Sequence, residues 1–172
     1  KHGCHPKKNK YRVIGINRNN FVALTQLRPY MPKEIMAVQW IAEGCNVFNA
    51  FVPFYANITK TPEYIANTTA EVTTENFYWA NRLIGTLADA HFQTTAIFIE
   101  RYQNQVHSKG HALLSKFDKQ FMTEKPNQVQ HFLEGCNEEM AKMAKEETQK
   151  TLSSVLYTAS NGMKNSFARS DA

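Results

Sequence analysis

Three cysteines, Cys4, Cys45 and Cys136, carry the strongest nucleophilic potential in this 172-residue chain. A cysteine acts as a nucleophile only where a base or a cationic neighbour stabilises its thiolate. Cys45 follows Gly44 in "EGCNVFN", at a strand-to-loop transition from which a side chain can reach a cleft. No histidine stands near it in sequence, so a half-buried loop thiol is expected. Cys136 falls on the apolar stripe of a helix and is expected in the core. Cys4 would need to be the first residue to use its own α-amine as base, yet Lys1, His2 and Gly3 precede it and "HPKKNK" follows. Widely spaced and odd in number, the three are unlike a disulfide framework and favour a reducing compartment; the cytoplasm is the expected location, with secretion the alternative.

His107 and His111 stand four apart on a predicted helix, the spacing that lets two imidazoles meet one metal. The intervening Ser108, Lys109 and Gly110 lack the acidic residue that makes such a pair informative, so exposed polar histidines and no metal are expected. Asn57-Ile58-Thr59 and Asn67-Thr68-Thr69 match the glycosylation pattern, which has meaning only in a secreted protein. Paired carboxylates, a phosphate-cradling glycine loop and a Ser-His-Asp order are missing, and no cofactor is expected.

These residues must be positioned by two kinds of element. "YRVIGINR", "NFVALTQL" and "MAVQWIAEG" are rich in β-branched and aromatic residues, separated by "NRNN" and the proline-bearing "RPYMPKE"; they read as an antiparallel meander. In the third segment Val38, Trp40 and Ala42 share one face. "AFVPFYANI" is a further short strand, which Pro53 places at an edge or bulge. Residues 60–74 read as a polar connection. From residue 75 the period turns helical: Phe77, Ala80, Ile84, Leu87 and His91 form one stripe, with Thr74 as the N-cap. Ile99, Tyr102, Val106, Leu113, Phe117 and Phe121 form the next, which Gly110 is expected to bend or break. Beyond Pro126 a third stripe runs from Val129 to Ala159. The expected class is α+β, with strands over 1–74 and about three helices over 75–172 in one structural unit. So short a sheet, in a chain that opens at Lys1 directly into strand-like sequence, is expected to be a piece of something longer.

The formal charge of +5 is diffuse apart from "KHGCHPKKNKYR", a solvated segment. Without a recognition helix, zinc spacing or aromatic ribonucleoprotein motif, no nucleic-acid partner is expected. Apolar runs fall far short of about 18 residues, so no membrane span is expected.

"YRVIGINRNNFVALTQLRPYMPKEIMAVQWIAEGCNVFNAFVPFYANIT", continued by "FYWANRLIGTLADAHF", resembles the C-terminal part of bacterial dipeptidases of the lactobacillal dipeptidase A type, with animal secernins as more distant relatives. The resemblance rests on "IGINRN", Gln26-Leu27-Arg28, the Pro32-Lys33-Glu34-Ile35 turn, "VQW", Asn46 and Asn49, and "PFYANIT", over Tyr11 to Gln103. It implies part of an N-terminal-nucleophile hydrolase, two antiparallel sheets packed between helical layers. It also implies a dipeptide substrate and an attacking cysteine at a mature N-terminus, supplied by an upstream segment of the same protein. Under the resemblance Asn46, Asn49, Tyr55 and Asn57 could line the substrate cleft as hydrogen-bond donors. Asn17 and Arg18 could anchor the substrate carboxylate. Where the family has a proline after the glycine, this chain has Cys45. The alternative expectation is a secernin-like interaction module without catalysis, assembling through its helices, with a second copy of the chain as a candidate partner in a homo-oligomer.

Overall fold

The computed structural model describes residues 19–163. The strand expected at "YRVIGINR", together with Asn17, Arg18 and Cys4, lies outside the described residues. Three strands, β1 (Phe21–Leu27), β2 (Ala37–Glu43) and β3 (Val52–Tyr55), form an antiparallel sheet in the order β1-β2-β3. Its register pairs Leu24 with Trp40 and Trp40 with Pro53. Pro53 therefore sits on an edge strand of the described sheet, where its missing N–H is tolerated.

Helices follow. The one-turn α1 (Glu63–Ala66) is set within the stretch read from sequence as an irregular connection; Pro62 starts it and buries Tyr64 and Ile65. Next come α2 (Phe77–Ala90), α3 (Phe92–Glu124) and α4 (Val129–Asn161). The N-cap of α2 is Asn76, not Thr74. Asn76 Oδ1 accepts the Trp79 N–H at 3.2 Å while its Nδ2 donates to the Asn67 carbonyl, a second bond that threonine at 74 cannot supply from two residues earlier. His91 separates α2 from α3, and Lys125 in the left-handed region (φ 47°) ends α3 before Pro126.

Gly110 neither bends nor breaks α3, which is continuous through it. A Cβ there would lie 2.8 Å from the Pro53 ring. The glycine is where α3 crosses β3 in direct contact, and the packing gained outweighs its weak helix propensity.

The face of the sheet carrying Val38, Trp40, Pro53 and Tyr55 is covered by α3 and α4. Trp40 stacks against both His107 and His111 of α3, at ring centroid distances of 5.9 and 4.7 Å. The core beneath includes Val38, Tyr102, Val106, Phe117, Leu133 and Met140; a smaller cluster of Ile84, Ala88, Ile99 and Val155 joins α2, α3 and α4. On the opposite face Phe21 and Leu27 are exposed, and the outer edge of β1 pairs with nothing among the described residues.

Candidate active-site cavity

The loop after β2 is pinned from several sides. Gly44 takes φ +84°, the left-handed region that glycine enters without cost, and its N–H donates to the Asn20 carbonyl at 2.9 Å. The chain then makes one turn, with the Phe48 and Asn49 N–H groups both donating to the Cys45 carbonyl at 3.0 Å. Asn49 is buried and its Nδ2 donates to the Glu43 carbonyl at 3.2 Å. Gln103 of α3 donates to the Val47 and Asn49 carbonyls at 3.0 Å each. Gly85 lets this loop rest on α2, since a Cβ there would meet Cys45 Sγ at 2.6 Å.

Between loop and helix lies a cavity of about 480 Å³, lined by Asn20, Cys45, Asn46, Arg82, Thr86 and Asp89, with Val47, Phe48 and Gly85 as its apolar part. Arg82, Gly85, Thr86 and Asp89 follow the i, i+3, i+4, i+7 pattern of one helix face. Arg82 Nη1 donates to Cys45 Sγ at 3.6 Å. A guanidinium does not accept a proton at neutral pH, so this neighbour cannot serve as the base of a nucleophile. Cys45 is half-buried, as its loop position implies. Cys136 is buried, and burial pushes its thiol up to about 12.

The candidates drawn from sequence are dispersed. Asn46 lines the cavity beside Cys45. The Asn49 amide is turned inward to the loop. Tyr55 is buried, with its hydroxyl donating to Asp118 Oδ1 at 2.9 Å; burial, then the Asp118 carboxylate, raises its pKa well above the usual phenol value. Asn57 is exposed and reaches the Glu34 carbonyl at 3.4 Å. Asn17 and Arg18 lie outside the described residues. Sequence reasoning missed Arg82 and Asp89, whose spacing on α2 was the available signal, and Glu43. The Glu43 side chain is buried, its Oε2 has no hydrogen-bond partner among the described residues, and burial raises its pKa to about 7. His107 and His111 hold their Nε2 atoms 3.0 Å apart; burial, then the His107 ring, lowers the pKa of His111.

The model of peptidase family C69 matches residues 1–105. A dipeptidase of Bifidobacterium longum is 39% identical over 98% of the chain, and a probable dipeptidase A of Streptococcus pyogenes serotype M18 is 40% identical over 98%. Dipeptidase A of Lactobacillus helveticus is 32% identical over 81%. The chain spans 39%, 35% and 29% of the lengths of these three relatives, in that order. With strands, loop and α2 all inside the matched region, the chain belongs to peptidase family C69.

Proposed function

We propose that this chain is the C-terminal segment of a cysteine-dependent dipeptidase whose nucleophile is carried by an upstream segment. The observation that supports this most is the match of nearly the whole chain to bacterial proteins named as dipeptidases, of which it spans little more than a third. The exposed Phe21 and Leu27 on the face away from the helices, and the unpaired edge of β1 among the described residues, fit a sheet that a further segment completes. Neither described cysteine has the proton acceptor that the attack needs: the hydrogen-bond neighbour of Cys45 is a guanidinium, which cannot take up a proton, and Cys136 is a buried, high-pKa thiol.

In this reading the upstream cysteine attacks the peptide carbonyl carbon while its α-amine takes the thiol proton and passes it to the leaving amine. Water then hydrolyses the thioester. This chain contributes the helix-covered sheet and the wall of the cavity at Cys45 and Asn46. Asn46 is its substrate contact. Asn49 holds that wall in place through the Glu43 carbonyl, whereas Tyr55 ties β3 to Asp118 of α3 and does not line the cavity; Asn57, Asn17 and Arg18 are further candidate contacts. The site works in a reducing compartment that keeps the thiol free. A second reading, an interaction module that pairs copies through its helices, is favoured only by the exposed Leu156 and Tyr157 late on α4.

The test is dipeptide hydrolysis by three proteins: the polypeptide including the upstream segment, its Cys45→Ala and Cys136→Ala double variant, and this chain alone. Activity in the first two and none in the third is expected. Hydrolysis by the chain alone, or its loss on replacing Cys45, would sink the placement of the nucleophile. An inactive full polypeptide that dimerises through α4 would favour the interaction module.

A further inference from the structure

Resting on the dipeptidase reading, we propose that Arg82 and Asp89 bracket the two charged ends of a dipeptide, with Arg82 holding the carboxylate and Asp89 the ammonium. Both line the cavity under the Cys45 loop. Seven residues apart on α2, they stand on one face and are separated by roughly 10 Å along the helix axis. Neither forms an ion pair among the described residues: the Arg82 head group bonds to Cys45 Sγ, and the Asp89 carboxylate, on an exposed residue, has no hydrogen-bond partner there. A cation and an anion left open in one cavity are matched to a ligand carrying both charges.

The dimensions select the length of that ligand. Two extended residues span at most roughly 7 Å. Adding a charge-assisted hydrogen bond of about 2.8 Å at each end sets the two head groups roughly 12 Å apart, within reach of a long arginine and a short aspartate on this spacing. A third residue adds roughly 3.5 Å and carries one terminus out of reach. Asn20 and Asn46 supply amides to meet the peptide group, and Val47, Phe48 and Gly85 supply apolar surface. The Arg82 guanidinium rests against Cys45 Sγ at 3.6 Å and keeps its remaining donors for the ligand. The carboxylate contact that the resemblance implied for Arg18 passes to Arg82.

Isothermal titration calorimetry on the full-length protein, upstream segment included, tests this with the ketomethylene analogue of alanyl-alanine, which keeps both termini and cannot be hydrolysed. Its C-terminal amide and its N-acetyl form are the controls. Arg82→Gln is expected to weaken binding of the free analogue roughly ten- to hundredfold and to leave the amide within about twofold, as loss of one charge-assisted contact requires. Asp89→Asn is expected to do the same for the free ammonium relative to the N-acetyl form. Failure of the parent protein to bind the analogue overturns the proposal. So does an equal loss for acid and amide in Arg82→Gln, or transfer of the carboxylate effect to Arg18→Gln. Should Arg82→Gln lose its far-UV circular dichroism, Asp89→Asn at its exposed position decides alone. Tight binding of the analogue with no hydrolysis of alanyl-alanine would sink the dipeptidase reading and leave the bracket standing.

Discussion

Glu43 shows how one residue's environment changes its chemistry. In sequence it is the last residue of a strand, on the face opposite Val38 and Trp40, where a solvated carboxylate is the ordinary outcome. In the fold it is buried, and burial raises its pKa from 4.5 to about 7. The folded state thus binds a proton that the unfolded state has already released. The contribution of the neutral carboxyl is fully present below pH 4.5 and is lost as pH rises through about 7. Glu43→Gln removes that ionisation. Thermal melts should show the variant more stable than the parent at pH 8, by up to about 3 kcal/mol, with the difference closing toward pH 4.5. Equal melting shifts at both pH values would refute the assignment.

At the scale of elements, the edge of β3 is closed by a side chain. Asn137 of α4 accepts the Tyr55 N–H at 2.9 Å and donates to the Tyr55 carbonyl at 3.0 Å, taking the place of a neighbouring strand. Asn137→Ala leaves both backbone groups buried without partners, so a loss of about 2–4 kcal/mol is expected. The urea midpoint should fall with little change in slope. A change below about 0.5 kcal/mol would mean that water replaces the amide. The periods of β2 and α2 were legible because one face of each carries buried apolar residues: Val38, Trp40 and Ala42 in β2, and Phe77, Ala80 and Ile84 in α2. What was not legible rested on single contacts. Asn76 caps α2 because the Asn67 carbonyl lies beside it, and Gly110 stays helical because Pro53 lies against it.

At the scale of the molecule, an ion pair among the described residues joins the strand meander to the helical layer. Arg28 grips Asp118 of α3 through both terminal nitrogens and donates to the Ile35 carbonyl at 2.6 Å; Tyr55 reaches the same carboxylate. With Arg28 only 4% exposed, removing its counter-charge strands a buried guanidinium. Asp118→Asn should cost about 3–5 kcal/mol, seen in chemical denaturation. A cost under about 1 kcal/mol would show that solvent reaches the pair. Arg28 and Ile35, from the Gln26-Leu27-Arg28 and Pro32-Lys33-Glu34-Ile35 stretches that carry the family resemblance, therefore take part in closing the fold.

The sequence by itself determined the α+β class, the order of strands before helices, and membership of a peptidase family. Period and motif are local properties, read within windows of ten to twenty residues. Only the tertiary structure decided which polar groups share a space. It sent the amide of Asn49 and the hydroxyl of Tyr55 inward, left Asn57 exposed, and kept Asn46 in a cavity with Arg82 and Asp89. The physical reason is that a charged residue on a helix looks the same in sequence whether it faces water or a cleft. The difference is made by a loop some forty residues away, seated on Gly85 and tied to Gln103.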